Sequence, residues 1–268
     1  MKKILLAVIL LAATFSVKAW HYSYDKAMLL VVAQNLNPET LNLVKEYVGE
    51  DITRASGHLA WHRKHDRHLY TAGWHTLHLD KNLQPVAMGE DDAYVQIERA
   101  LEIIRNRREH KVAEVKFAVH TVLNLVCDMH NIGNVAIEGI PQSGTDFQVG
   151  TSSGTAGGRP AKIKPYPWKD LWSNRYIMYH GGPGCFTPQM WVKDIVLMYG
   201  DKKEEFSKGA LKDWANDIGC YTKGVYGVLE ANNGQFLHAT IQAHEDLHMA
   251  CLARAAYRIA VLLNENLK

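Results

Sequence analysis

The chain has 268 residues, 47% of them hydrophobic and 22% charged, with a formal charge of +2. That is the composition of an ordinary globular protein, and so small a charge excludes a nucleic-acid binder that relies on bulk positive field. Histidine stands out instead, with 14 residues, several of them clustered, beside four cysteines.

Residues 1–19 read MKKILLAVILLAATFSVKA. Lys2 and Lys3 give a charged start, Ile4 to Phe15 an apolar run, and Val17-Lys18-Ala19 a small-residue end. This is the pattern of a secretory signal peptide, too short for a comfortable transmembrane helix. Cleavage after Ala19 makes Trp20 the mature N-terminus, and the lack of a cysteine there argues against a lipid anchor. No later apolar run is long enough to span a membrane. Residues 20–268 are therefore expected to form an exported protein, periplasmic or secreted, of one large domain or two small ones. Export permits disulfides among Cys127, Cys185, Cys220 and Cys251. Cys127 and Cys251 sit in apolar helical segments and read as buried thiols; Cys185 and Cys220, in or near loops, are the expected pair.

Residues 21–35 read as a first helix. Asn37 as N-cap and Pro38 at the first helical position start a second. Asp51 caps a third, running toward His68 and carrying His58, His62, His65 and His68. A face of His58, His62 and His65 could hold a surface metal or be a solvated basic face. Thr71–Leu79, with His75 and His78, reads as an ordered loop. Asp91 and Asp92 open a helix through Val95, Ile97, Leu101 and Ile104. From Glu138 to Pro167 the chain is rich in Gly, Ser, Thr and Pro, and its core, 151–158, reads as a surface loop. Helices are expected over 168–176, 188–199 and 208–218, the last with Ser207 as N-cap, and over a long final stretch, 235–266.

The most informative stretch is 111–134, KVAEVKFAVHTVLNLVCDMHNIGN. It is largely apolar and has no Gly or Pro before Gly133, so it predicts a long buried helix. His120, Asn124, Asp128 and Asn131 recur at spacings of four, four and three, which places them on one stripe. A buried stripe of this kind must be satisfied. It is either a hydrogen-bonded core network or the wall of a metal or substrate site. With few alternating strand patterns and no internal repeat, the expected fold is all-α: a single-domain helical bundle with one long irregular connection.

Several segments together resemble the zinc-dependent single-strand nuclease and 3′-nucleotidase family that includes mung bean nuclease, related in fold to the bacterial zinc phospholipases C. The family's mature chain starts with Trp, matched by Trp20. ASGHLAWHR (55–63) and TAGWH (71–75) stand where the family has ASTWADEIR and T-x-x-WH, and NLVCDMHNIGN (124–134) where it has H-x-x-GDxHQPLH. PWKDLWSN (167–174), WANDI (214–218) and AAYRIAVLLN (255–264) follow, matching NLHxxWDS, W-A-x-E-S and AGYRLAxxLN. The order is kept over essentially the whole mature chain. The resemblance implies a helical bundle of the phospholipase C and nuclease type, zinc as cofactor, and a phosphate-containing ligand or single-stranded nucleic acid as partner.

The resemblance also implies nine ligand positions for three zinc ions, and most are changed. Trp20, His75 and the bridging Asp128 are kept. The histidine expected five residues after the terminal Trp is Asp25, another oxygen donor. Ala60, Asn124, Asn134, Lys169 and Ser173 fill the other five. Zinc prefers His, Cys and carboxylate ligands, so one ion loses all three of its own ligands at Asn134, Lys169 and Ser173. The expected residue of the centre is one zinc ion at most, at Trp20, Asp25, His75 and Asp128. Lys169 could neutralise Asp25 and Asp128 or hold a phosphate as a point charge. His62 and His120 are candidate substitute ligands, and His130 reads as a packed histidine or a ligand. The expectation is an exported protein that keeps the fold without the three-metal catalysis, non-catalytic or repurposed for binding. The alternative is a phosphoesterase (nuclease or 3′-nucleotidase) using one or two metals.

Overall fold

The structure is a computed structural model that describes residues 20–57, 59, 69–87, 92–140, 147–151, 163–175 and 187–268. It is mostly helical, as the apolar periodicities require. The signal-peptide stretch, His58, Ala60, His62, His65, His68, Cys185 and most of the 151–158 loop core lie outside the described residues.

Helix α1 (Tyr22–Asn35) and helix α2 (Pro38–Val48) meet at a sharp corner. Asn37 takes the N-cap backbone conformation, but its side chain makes no capping bond. The corner is tied from outside: Asn264 accepts from Asn37 N at 2.9 Å and donates to Asn35 O at 3.0 Å. Asp51 caps a 3-10 turn, Ile52–Ala55, through Thr53 N. The stretch expected to be a loop is ordered twice over, as a 3-10 helix, Leu69–His75, and a short strand β1, Leu77–Leu79. Helix α3 (Ala93–Arg105) starts at Asp92, whose carboxylate accepts from Val95 N.

Helix α4 (Val112–Met129) is the centre of the molecule, with every residue from Ala118 to Met129 buried. A helix apolar on nearly all sides can be satisfied only by packing on all sides. It lies along α3 and receives the 3-10 turns and the last helix around its other faces. It ends two residues before the last member of the expected polar stripe. Asn131 is not on the stripe: it caps a 3-10 turn, Ile132–Asn134, by accepting from Gly133 N at 2.9 Å. Strand β2 (Val135–Ile137) follows and pairs in parallel with β1, Leu77 opposite Val135 and Leu79 opposite Ile137.

The Gly-rich region is not wholly irregular. Strands β3 (Gln148–Thr151) and β4 (Lys164–Pro167) form an antiparallel pair at its edges. Helix α5 (Trp168–Asp170) continues as a π-helical turn, Leu171–Arg175. Helix α6 (Pro188–Tyr199) has the expected limits. Ser207 caps nothing ahead of it; it ends a short helix α7 (Lys203–Ser207). Helix α8 runs from Leu211 to Ala231, well past the expected Ile218, and stops where Asn233 and Gly234 adopt positive φ, 52° and 73°. The final helix is broken at His244 into α9 (His238–Ala243) and α10 (Glu245–Asn266). Cys127 and Cys251 are buried free thiols. Cys220 is a free, exposed thiol on α8, so the expected pair with Cys185 is not formed. Among the described residues no helix is long and apolar enough to cross a membrane.

Candidate functional site

The parallel ladder between β1 and β2 holds the chain around 75–79 beside the chain leaving α4. That register carries His75 onto the C-terminal turn of α4, where its Nδ1 contacts an Asp128 carboxylate oxygen. Both side chains are buried, at 3% and 6% exposure. A carboxylate can only accept, so Nδ1 donates to it, and whenever the ring is neutral Nε2 is a bare lone pair. That Nε2 is buried and has no hydrogen-bond partner among the described residues.

Trp20 and His21 dock against the same end of α4. The Trp20 indole donates to Cys127 O at 2.7 Å, one residue before Asp128, and His21 N donates to Ser173 O at 3.1 Å. The Trp20 ring is fully buried, edge-on to His248 and Tyr24. Asp25, one turn into α1, is also buried. Burial first, and then the negative charges of Asp25 and Asp128, push the Cys127 thiol far above its ordinary range. Both carboxylates therefore act on one buried atom.

The substituted positions gather at this end too, but as structure. Asn124 donates to Ala55 O at 3.0 Å and to His120 O at 2.8 Å. Asn134 donates to Asp128 O at 3.3 Å, while its Oδ1 is buried without a partner among the described residues. Ser173 donates to Lys169 O at 2.6 Å and accepts from Asn131 Nδ2 at 2.9 Å. Gly133 is required here: a Cβ would stand 2.9 Å from Lys169 Cα. Lys169 is only 5% exposed, and its charge partly offsets the burial that raises the pKa of its neighbour Asp170. His120 is buried on α4 one turn before Asn124.

His130 is a packed histidine. Arg258 donates to its Nε2 at 2.9 Å, so its Nδ1 must donate to Val126 O, at 2.7 Å. Burial, then Arg258, holds its pKa well below the usual value. Arg258 also donates to Phe206 O and pairs with Asp217, and its guanidinium lies over the Trp214 ring. The segments WANDI and AAYRIAVLLN are thus packed on each other.

Two contacts escape sequence reasoning. Asn131 links the exit of α4 to Ser173, and His248 stacks on Trp20 while its Nε2 meets Trp172 O at 3.1 Å. Neither contact has a local signal, since each joins elements at least 40 residues apart. Among the described residues no three His, Cys, Asp or Glu side chains gather at metal-ligand spacing. At the other positions that the resemblance assigns to ligands, Asn124, Asn134 and Ser173 donate to backbone carbonyls and Lys169 brings a cation. A single ion is better served, because His75 and Asp128 meet and Nε2 is unclaimed. No protein-family model matches the chain and no curated protein matches it closely.

Proposed function

We propose that this is an exported, nuclease-like helical protein that has lost three-metal phosphodiester hydrolysis and retains its site for binding a phosphate-containing ligand. One observation carries the reading. Of the described positions that the resemblance assigns to metal ligands, Asn124, Asn134 and Ser173 lie around the end of α4, and each donates to backbone carbonyls: Asn124 to Ala55 O and His120 O, Asn134 to Asp128 O, Ser173 to Lys169 O. Re-aiming these side chains at a dication would break buried hydrogen bonds. A nearly buried Lys169 beside them suits an anion better than a metal.

A second reading is supported by the His75–Asp128 contact and the unclaimed Nε2. In that reading one zinc ion is held by His75 and Asp128, with Asp25 and the amine of a mature Trp20 completing the set. The ion would supply Lewis-acid polarisation of a phosphate oxygen. Elemental analysis of the exported protein, with turnover of single-stranded DNA, RNA and 3′-nucleotides in added zinc, separates the readings. The first expects no turnover, and Lys169→Ala weakening the binding of a 3′-nucleotide. One zinc ion per chain with turnover that is lost in His75→Ala selects the second. Three ions with rapid turnover overturns both.

A further inference from the structure

The arginines on α10 lie one turn apart and have opposite fates. Arg258 is committed to Asp217, His130 and Phe206 O. Arg254 has no ion pair or hydrogen bond among the described residues; instead its guanidinium lies 3.8 Å from the Phe206 ring centroid and 5.1 Å from that of Tyr221. Stacking fixes the plane of the group and leaves its edge free to bind. That edge belongs to a cavity of about 530 Å³ between α6, α7 and α10, which shares no lining residue with the site at the end of α4. A second cation, Lys202, stands on its wall against the Tyr199 ring, 5.8 Å from the centroid. The apolar lining comes from Phe206, Leu247, Ala250 and Met198. Met198 is 41% exposed, and the adjacent Leu197 is 78% exposed, so the apolar lining continues onto the surface of α6.

We propose that this cavity binds an amphipathic carboxylate, an apolar chain or ring carrying a single negative charge. The fixed guanidinium fork matches the planar carboxylate with two parallel hydrogen bonds. The apolar body has Phe206, Leu247 and Ala250 to cover, which is the usual division of labour in a small-molecule site. Two carboxylates of the protein, Glu205 and Asp246, also line the cavity. With them the lining is neutral overall, so a monoanion is held by the local Arg254 fork and not by net charge, while the second charge of a dianion such as a phosphate monoester meets repulsion from the carboxylates.

The test is titration calorimetry of the purified protein with octanoate, octyl phosphate, octylamine and octanol. Octanoate is expected to saturate one site and to bind more tightly than the other three. Arg254→Ala should weaken octanoate at least tenfold, with folding checked by far-ultraviolet circular dichroism. Lys202→Ala, at an exposed position that does not threaten the fold, should weaken it about two- to threefold. Asp246→Asn should narrow the gap between octyl phosphate and octanoate. The proposal is overturned if octanoate does not saturate at millimolar concentration. It is equally overturned if octyl phosphate or octanol binds as tightly to the unmodified protein, or if Lys202→Ala and folded Arg254→Ala both leave octanoate unchanged.

Discussion

Two buried polar groups leave the C-terminal end of α4 within three residues of each other, and they are finished differently. His130 faces a closed network. Arg258 donates to it, Val126 O accepts from it, and Arg258 goes on to Phe206 O and Asp217. Asp128 faces an open one. It meets His75, whose other nitrogen is buried with no partner among the described residues. A closed network costs free energy to disturb and offers nothing to a ligand, whereas an open one costs stability merely by existing. The difference separates the part of the helix end that is closed within the fold from the part that leaves a polar atom unclaimed among the described residues.

The largest effect should come from opening the closed network. Arg258→Ala strands His130 Nε2 and Phe206 O and leaves a cavity under Trp214. Asp217 is half exposed and can be solvated, so the loss should fall at the low end for a broken buried pair, about 3 kcal/mol. Thermal unfolding should fall by roughly 6–12 °C, at about 2–4 °C per kcal/mol for a chain of this size. A loss near zero would show that the network is not closed.

Next in size is the joint that brings the open side together. In Gly133→Ala the new methyl meets Lys169 Cα at 2.9 Å, a backbone atom that cannot swing away. Overpacking of this kind costs about 1–3 kcal/mol. Gly224→Ala, in α8 with nothing within 4 Å of its Cβ, is the control and should stabilise by up to ~1 kcal/mol. Denaturant titration of the two variants gives the contrast directly.

The third effect is a pH slope. His130 is held neutral in the folded protein, its pKa lowered by burial and then by Arg258. The unfolded chain protonates this histidine near its ordinary value, about 6.5. Stability is therefore complete above that pH and is lost as pH falls from there toward the folded pKa. The slope approaches ~1.4 kcal/mol per pH unit. Measured with a chelator present, His130→Gln should flatten this slope by that amount.

Long-range contacts explain what could and could not be read in the chain. The apolar run 112–129 and the Asp92 cap are local signals, and both elements form as expected. The meeting of His75 with Asp128 was foreseen only through motif order; the ladder that produces it, three residues of β1 on three of β2, is too short for strand alternation to show. Spacing puts Asn131 on the helical stripe because spacing says nothing of where a helix stops, and its real task depends on Ser173, 42 residues away. The break at His244 has no Gly or Pro to announce it. Loop position suggests pairing Cys220 with Cys185, but Cys220 lies on an exposed face of α8, which runs well past Ile218 to the stop signal at Asn233 and Gly234.

The smallest change in stability should come from the open side, where it is most informative. Asp128→Asn keeps the shape and keeps an oxygen that accepts from His75 Nδ1, so a neutral hydrogen bond replaces the charged one. The net cost of such an exchange is about 1 kcal/mol or less. What disappears is the negative charge that would attract a dication. If His75 and Asp128 hold a single zinc ion, excess zinc stabilises the unmodified protein, by about 2.7 kcal/mol at a hundredfold excess over Kd. Asp128→Asn should abolish that gain while unfolding almost normally without metal. A zinc response that survives the substitution would move the ion elsewhere. The absence of any response in the unmodified protein would leave the pair as an anchor for anion binding and favour the non-catalytic reading. A loss as large as that of Arg258→Ala would mean that the two sides of the helix end are equally structural, and the distinction between closed and open would fail.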